Sequence, residues 1–151
     1  MPGHLLFVCV ANRVRSPFAE FLLRDIWRKR GEDISVSSAG YVPQTLKDLL
    51  VKHNIPFPDP FFNRPMSELT RTALSEKGIH VPNDWRSKEL NPEIIKKVDL
   101  IITAVTPQKE ELSSDYYEFH NKIVTINDLT EKKYYPFLED YLDLPLDDNF
   151  W

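Results

Sequence analysis

The run Leu5-Leu6-Phe7-Val8 delivers the chain's single cysteine, Cys9, to the end of a predicted buried strand, and Pro17 opens a helix eight residues later. A strand, a tight loop and a helix are thus compressed into about twenty residues. Between Cys9 and Arg15 lie five residues, Val10, Ala11, Asn12, Arg13 and Val14. That spacing lets the intervening peptide units curl around one tetrahedral oxyanion. Their N–H groups and the helix N-terminus would point at it, and the planar fork of Arg15 would clamp it. The same positive field would favour the thiolate form of Cys9. An arginine at a helix N-terminus is unfavourable by itself, and a bound dianion removes the misfit. The pattern is that of a phosphate ester hydrolase working through a cysteinyl-phosphate.

The remaining sequence alternates. A strand is expected over His4–Val10 and a helix over Ser16–Arg30, with Phe18, Phe21, Leu22, Ile26 and Trp27 at helical spacing and Gly31 closing it. A short strand follows over Ile34–Ser38, then a helix over Gln44–His53. Four prolines and three aromatic residues make Ile55–Pro65 a loop or a set of short turns. Helices are expected at Ser67–Lys77, at Pro92–Lys97 and from Thr106 through about Phe119. Strands are expected at Leu100–Ala104, an apolar run of the kind buried on both faces of a parallel sheet, and at Lys122–Ile126. This order predicts an α/β fold: a four-stranded parallel sheet flanked by helices, flavodoxin-like, in three α/β/α layers. Crossover handedness and a switch point put the ligand beyond the carboxyl end of the first strand, at Cys9.

The chain resembles the low-molecular-weight protein tyrosine phosphatases. Val8-Cys9 through Asn12 and Arg15-Ser16-Pro17 are similar to that family's loop, Cys-x-Gly-Asn-x-Cys-Arg-Ser-Pro, and the thioredoxin-coupled arsenate reductases share the fold and a similar loop. Val36-Ser37-Ser38-Ala39-Gly40 resembles the second strand and its exit, and Pro58-Asp59-Pro60 a Pro-Asp-Pro that follows it. Arg86-Ser87-Lys88-Glu89-Leu90-Asn91-Pro92-Glu93 resembles Arg-x-Arg-Gln-Leu-Thr-Pro-Glu. Val98-Asp99-Leu100-Ile101-Ile102-Thr103 resembles the third core strand. These matches run in order through roughly residues 4 to 126.

The resemblance implies Cys9 as nucleophile, Arg15 and the loop residues Val10, Ala11, Asn12, Arg13, Val14 and Ser16 as the substrate cradle, and no metal or cofactor. It implies that Asn12 holds the loop's shape, although Asn also suits a plain left-handed turn. Ser16 could be a simple N-cap, or a hydroxyl that stabilises the thiolate. The general acid is implied to lie in a late Asp-Pro-aromatic motif. The literal Asp59-Pro60-Phe61 falls where the family keeps a structural Asp-Pro. Asp148, which precedes Asn149-Phe150, is therefore preferred, then Asp147, then Asp143; the bland alternative is an acidic surface tail.

Some positions depart from the family pattern. Ala11 replaces a glycine, Val14 a second cysteine, and Trp85 a histidine of a supporting polar network. Arg13 stands where relatives carry a small or apolar residue beside the substrate. The segment Phe57–Met66 could form a lid or a partner surface, and the resemblance implies a closing helix after the acid loop that is either cut off at Trp151 or diverged.

Composition limits the other possibilities. The 151 residues suit one domain, and a net charge of −4 argues against nonspecific nucleic-acid binding. No apolar run approaches the ~18–20 residues that span a bilayer, and no signal peptide is evident. One cysteine leaves no internal disulfide and fits a cytoplasmic, reducing setting. The expected partner is a phosphorylated protein or a small phosphomonoester. Two other readings stay open: a catalytically weak phosphate- or phosphoprotein-binding module, and an arsenate reductase that borrows an external thiol.

Overall fold

The computed structural model describes residues 3–129. Four parallel strands form one sheet: β1 (Gly3–Cys9), β2 (Ile34–Gly40), β3 (Leu100–Thr103) and β4 (Ile123–Thr125), in the spatial order β2-β1-β3-β4. β1 lies in the middle, with Val8 opposite Ala39 on one side and Thr103 on the other. The helices are α1 (Arg15–Arg30), α2 (Gln44–Lys52), α3 (Glu68–Glu76), α4 (Pro92–Lys97), α5 (Thr106–Asp115) and a short α6 (Ile126–Leu129). This is the flavodoxin-like α/β/α arrangement that the alternation of elements implied. Among the described residues no helix is long and apolar enough to cross a membrane.

Strand periodicity divides the packing. Leu6, Val8 and Ile101, of one parity, join Ile95 of α4 and Leu112 of α5 in the main core, all fully or almost fully buried. Phe7, of the other parity, lines a cavity with Ala19 of α1. A second apolar cluster joins Val10 and Ala11 to Leu46 and Leu50 of α2 and to Phe61. A third packs Phe21 of α1 against Met66, Leu74 and Val81.

The helix ends follow local chemistry. At Gly31 (φ 71°) α1 stops in a left-handed turn, with the Gly31 N–H on Arg28 O and the Glu32 N–H on Trp27 O. Asn91 caps α4 and Ser67 caps α3, each accepting from the main-chain N–H three residues on. α2 follows Pro43 and has no such cap of its own. Its first N–H groups, on Gln44 and Thr45, donate instead to the carboxylate of Glu111 in α5. The helix expected to run to Phe119 stops at Asp115. Ser113, Ser114 and Asp115 are weak helix formers, Tyr116 leaves helical backbone (φ −123°, ψ 54°), and a 3₁₀ stretch, Tyr117–Lys122, continues.

Gly40 marks the tightest point. It ends β2 opposite Cys9, its N–H reaches Lys88 O, and its carbonyl accepts from Leu90 N. A Cβ here would stand 2.7 Å from Val10 O and would collide with the Phe62 ring. The Val10 carbonyl is main chain and cannot yield without moving the loop after β1. Gly40→Ala should therefore lower unfolding free energy by about 1–3 kcal/mol, a loss measurable as a reduced urea midpoint at unchanged slope.

Candidate active site

Cys9 ends β1 and is 3% exposed, and the five residues after it turn the chain back into α1. One residue pins that turn. Asn12 is fully buried with φ 56°, a left-handed conformation that asparagine tolerates better than most residues. Its Oδ1 accepts from the Lys88 N–H at 2.9 Å, which fixes the orientation of the amide. Its Nδ2 then donates to Ser16 Oγ at 2.9 Å and to Ser38 Oγ at 2.8 Å. The amide thus ties β1's exit to α1, to β2 and to the stretch before α4. Ser16 Oγ lies 3.0 Å from Cys9 Sγ and 3.5 Å from Ala39 O. Because Ser16 already accepts from Asn12, its own hydrogen is left to point at the sulfur or at that carbonyl.

Ser16 is not the N-cap of α1. That position is Val14, which has no capping side chain, and Ser16 lies in the first turn with its hydroxyl toward Cys9. The first-turn N–H groups of α1 are thus left to the site. Arg15, at the start of α1, is exposed and lines a cavity of about 210 Å³ with Ser16, Ala19, Thr103 and Ile126.

Arg13 does not stand at the mouth of the site. It is 6% exposed, and its Nε donates to Pro65 O at 2.7 Å while its own carbonyl accepts from Ser67 N. Arg13 is thus a buried brace between the loop and the segment leading into α3. That segment is anchored through the buried Phe61 and Met66, while Phe57, Asp59, Pro60, Asn63 and Pro65 are exposed. Phe61 is buried on Val10 and Ala11, with its ring stacked on Phe57 and edge-on to Phe62. Asn63, Arg64 and Ser87 exchange main-chain hydrogen bonds.

The other departures also have places. Ala11 is absent from the positive-φ residues, so a Cβ is no burden there, and it is buried against Phe61 and Leu46. Trp85 packs with Phe18 and Leu22 around the third cluster. Lys88 N–H and Ser38 carry the polar support instead. Ser38 and Lys88 were visible only as parts of resembling segments, and nothing in their spacing singled them out. Asp59 is exposed, before a cis peptide bond to Pro60. Asp143, Asp147 and Asp148 lie outside the described residues.

Comparison with known proteins agrees with this geometry. The family model described as low molecular weight phosphotyrosine protein phosphatase matches residues 4–57. A protein-arginine-phosphatase of Bacillus subtilis is 27% identical over 124 residues, covering 82% of this chain and 70% of that protein. A low molecular weight protein tyrosine phosphatase from T. tengcongensis superposes with a TM-score of 0.69 at 28% identity, covering 87% of this chain and 78% of the other. A mutant of YwlE from Bacillus subtilis superposes at 0.68 with 25% identity, over 85% and 74% of the two chains. The chain is similar to the low-molecular-weight phosphotyrosine protein phosphatases, as its loop, strands and their order suggested.

Two outcomes follow. Asn12→Ala strands Ser16, Ser38 and the Lys88 N–H and places alanine at a left-handed φ. It should cost about 3 kcal/mol in urea unfolding. Glu20, 4% exposed in α1, has its carboxyl raised above the usual glutamate range by burial, partly offset by Arg24, Ser38 and Lys88. The folded state therefore holds this proton more tightly than the unfolded chain. Stability linked to it is greatest when the carboxyl is protonated and is lost as pH rises. Glu20→Gln should raise Tm at neutral pH, with the gain shrinking as pH falls through the raised value down to the usual glutamate range.

Proposed function

We propose that this domain hydrolyses phosphomonoesters on proteins through a cysteinyl-phosphate, with phosphotyrosine as the first substrate class. The observation that carries the reading is the placement of Cys9. A buried sulfur ends the central strand, 3.0 Å from a hydroxyl whose lone pair is already engaged, beside the uncapped start of α1.

The Cys9 thiolate attacks phosphorus in line, and an S–P bond forms as the ester P–O bond breaks. Arg15 and the N–H groups of residues 10–16 hold the equatorial oxygens. A carboxylic acid, Asp148 in the first instance, gives its proton to the leaving oxygen. The resulting carboxylate then takes a proton from water as that water attacks phosphorus. The S–P bond breaks, phosphate leaves and the thiolate returns. Ser16 favours the thiolate in both steps by donating to it. Each role falls to a side chain or a main-chain N–H of this protein, with no metal or organic cofactor in the scheme.

Phosphoarginine is the second substrate class, and the relation to the Bacillus subtilis protein-arginine-phosphatase favours it.

The test is p-nitrophenyl phosphate turnover, followed by phosphotyrosine and phosphoarginine peptides. Cys9→Ser should abolish turnover. Arg15→Lys keeps the charge but loses the bidentate fork, and should lose about a hundredfold in kcat/KM. Asp148→Asn should lower kcat by about ten- to a hundredfold on this activated ester, with Asp147→Asn, Asp143→Asn and Asp59→Asn falling less. A wild type that turns over no substrate, yet whose thiol is protected from alkylation by phosphate, would replace this reading with a binding module.

A further inference from the structure

The connection between β2 and α2 is fastened to Cys9 at one end and to α5 along its length. Tyr41, its first residue, donates its main-chain N–H to Cys9 O at 2.9 Å. The Tyr41 carbonyl accepts from Gln108 Nε2 at 2.8 Å, and its phenol donates to Asp115. The carboxylate of Glu111 takes the two N–H groups that open α2. The Gln44 N–H donates to Oε2, and the Thr45 N–H donates to Oε1 at 2.9 Å, joined there by the Thr45 hydroxyl. Gln108, Glu111 and Asp115 recur at helical spacing and so share one face of α5. That helix is a firm anchor, because Leu112, beside Glu111, is fully buried in the main core with Leu6, Val8 and Ile101.

What α2 covers carries these bonds to the site. Leu46 and Leu50, on its buried face, share one apolar cluster with Val10 and Ala11, the two residues that follow Cys9, and Val42 packs against the same cluster. Two residues of the cradle therefore rest on side chains that α2 carries. A helix of nine residues does not hold itself in place, since isolated helices below ~12–15 residues are marginal in water. Its N-cap, Pro43, offers no acceptor. A carboxylate is the group that a helix N-terminus favours, and Glu111 brings one from a neighbouring element.

We propose that Glu111 is a positioning residue for the phosphate cradle: by taking the first N–H groups of α2 it sets that helix against α5, and Leu46 and Leu50 then hold Val10 and Ala11 where their N–H groups meet phosphate oxygens. This rests on the reading of residues 10–16 as the cradle of a phosphate ester. Glu111 acts through the packing of α2 and not through a bond to Cys9. Its loss loosens the grip on the phosphoryl oxygens in the bound ester and in the transition state alike, so binding suffers and the chemical step does not.

The experiment measures how much inorganic phosphate protects Cys9 from iodoacetamide in the intact protein, beside p-nitrophenyl phosphate kinetics, with circular dichroism to check folding. A lost helix cap is equivalent to about fivefold in an equilibrium constant. Glu111→Ala should accordingly raise both the protecting phosphate concentration and KM about fivefold, with kcat within about twofold of the wild type. A purely stabilising cap would lower the urea midpoint and leave both constants alone in the folded protein. Pro43→Ser separates the helix from its tether. Position 43 has φ −62° and ψ 144°, nearly the backbone of Ser67 (φ −61°, ψ 147°), which caps α3. In Glu111→Ala/Pro43→Ser the serine should give α2 a cap of its own and recover the urea midpoint. The phosphate constant should stay raised, because α2 remains untied from α5. If Glu111→Ala does not fold, Glu111→Gln should show the same shift at smaller size, since it keeps one acceptor for Thr45 and turns an amide N–H toward the Gln44 N–H. An unchanged phosphate constant in a folded Glu111 variant, a loss in kcat that exceeds the rise in KM, or full return of the constant in the double variant would each overturn the proposal. A wild type that phosphate protects but that hydrolyses no ester would sink the hydrolase reading and leave the positioning role standing on the protection constants.

Discussion

Everything at this site depends on one buried amide. Asn12 has four hydrogen-bonding positions, and three are committed, to Ser16, to Ser38 and to the Lys88 N–H. These partners belong to the first helix, the second strand and a connection more than seventy residues away. In water such bonds are worth little, because water would make them equally well. In a fully buried position each is costly to leave unmade, so the amide acts as a keystone. The loop needs this support because it carries little of its own. Its helix has no side-chain cap, and its sharpest turn is a left-handed asparagine.

The surroundings reinforce that anchor by packing. Phe61 covers Val10 and Ala11, Phe62 fills the space over Gly40, and Arg13 reaches Pro65. The loop is therefore fixed from below by hydrogen bonds and from the side by aromatic surface. A cradle for an anion benefits from such rigidity, since dipoles already aligned need no reorganisation when charge arrives. Glu111 extends the principle to α2. A helix without a cap of its own takes one from a neighbour, and α5 is thereby registered against it.

The fold was legible because its signals are local. Period and punctuation marked the strands around Leu6, Ile101 and Ile123, and Gly31 and Asn91 marked helix ends. The end of α5 was missed by several residues because Tyr116 and Phe119 continue an apolar spacing that the backbone abandons at the weak formers Ser113 to Asp115. At the site, Cys9, Asn12 and Ser16 could be named from spacing within one loop. Ser38 and Lys88 could not, since their contribution depends on where chain topology brings a hydroxyl and a main-chain N–H. The direction of the Arg13 side chain was hidden for a related reason. A sequence gives a charge but not the direction of its side chain, and here a carbonyl of the next segment captured it.

Withdrawal of Arg13 has a consequence for how this protein could diversify. A side chain bordering a pocket can be exchanged to suit a new ligand, because its neighbours do not rely on it. Here the side chain and the carbonyl of one residue fasten two separate parts of the molecule, and α3 begins where the second fastening ends. Selection at that position would answer to architecture before it answered to ligand choice. Any drift in preference would have to come from elsewhere on the rim, which leaves the cradle the slowest part of the protein to change.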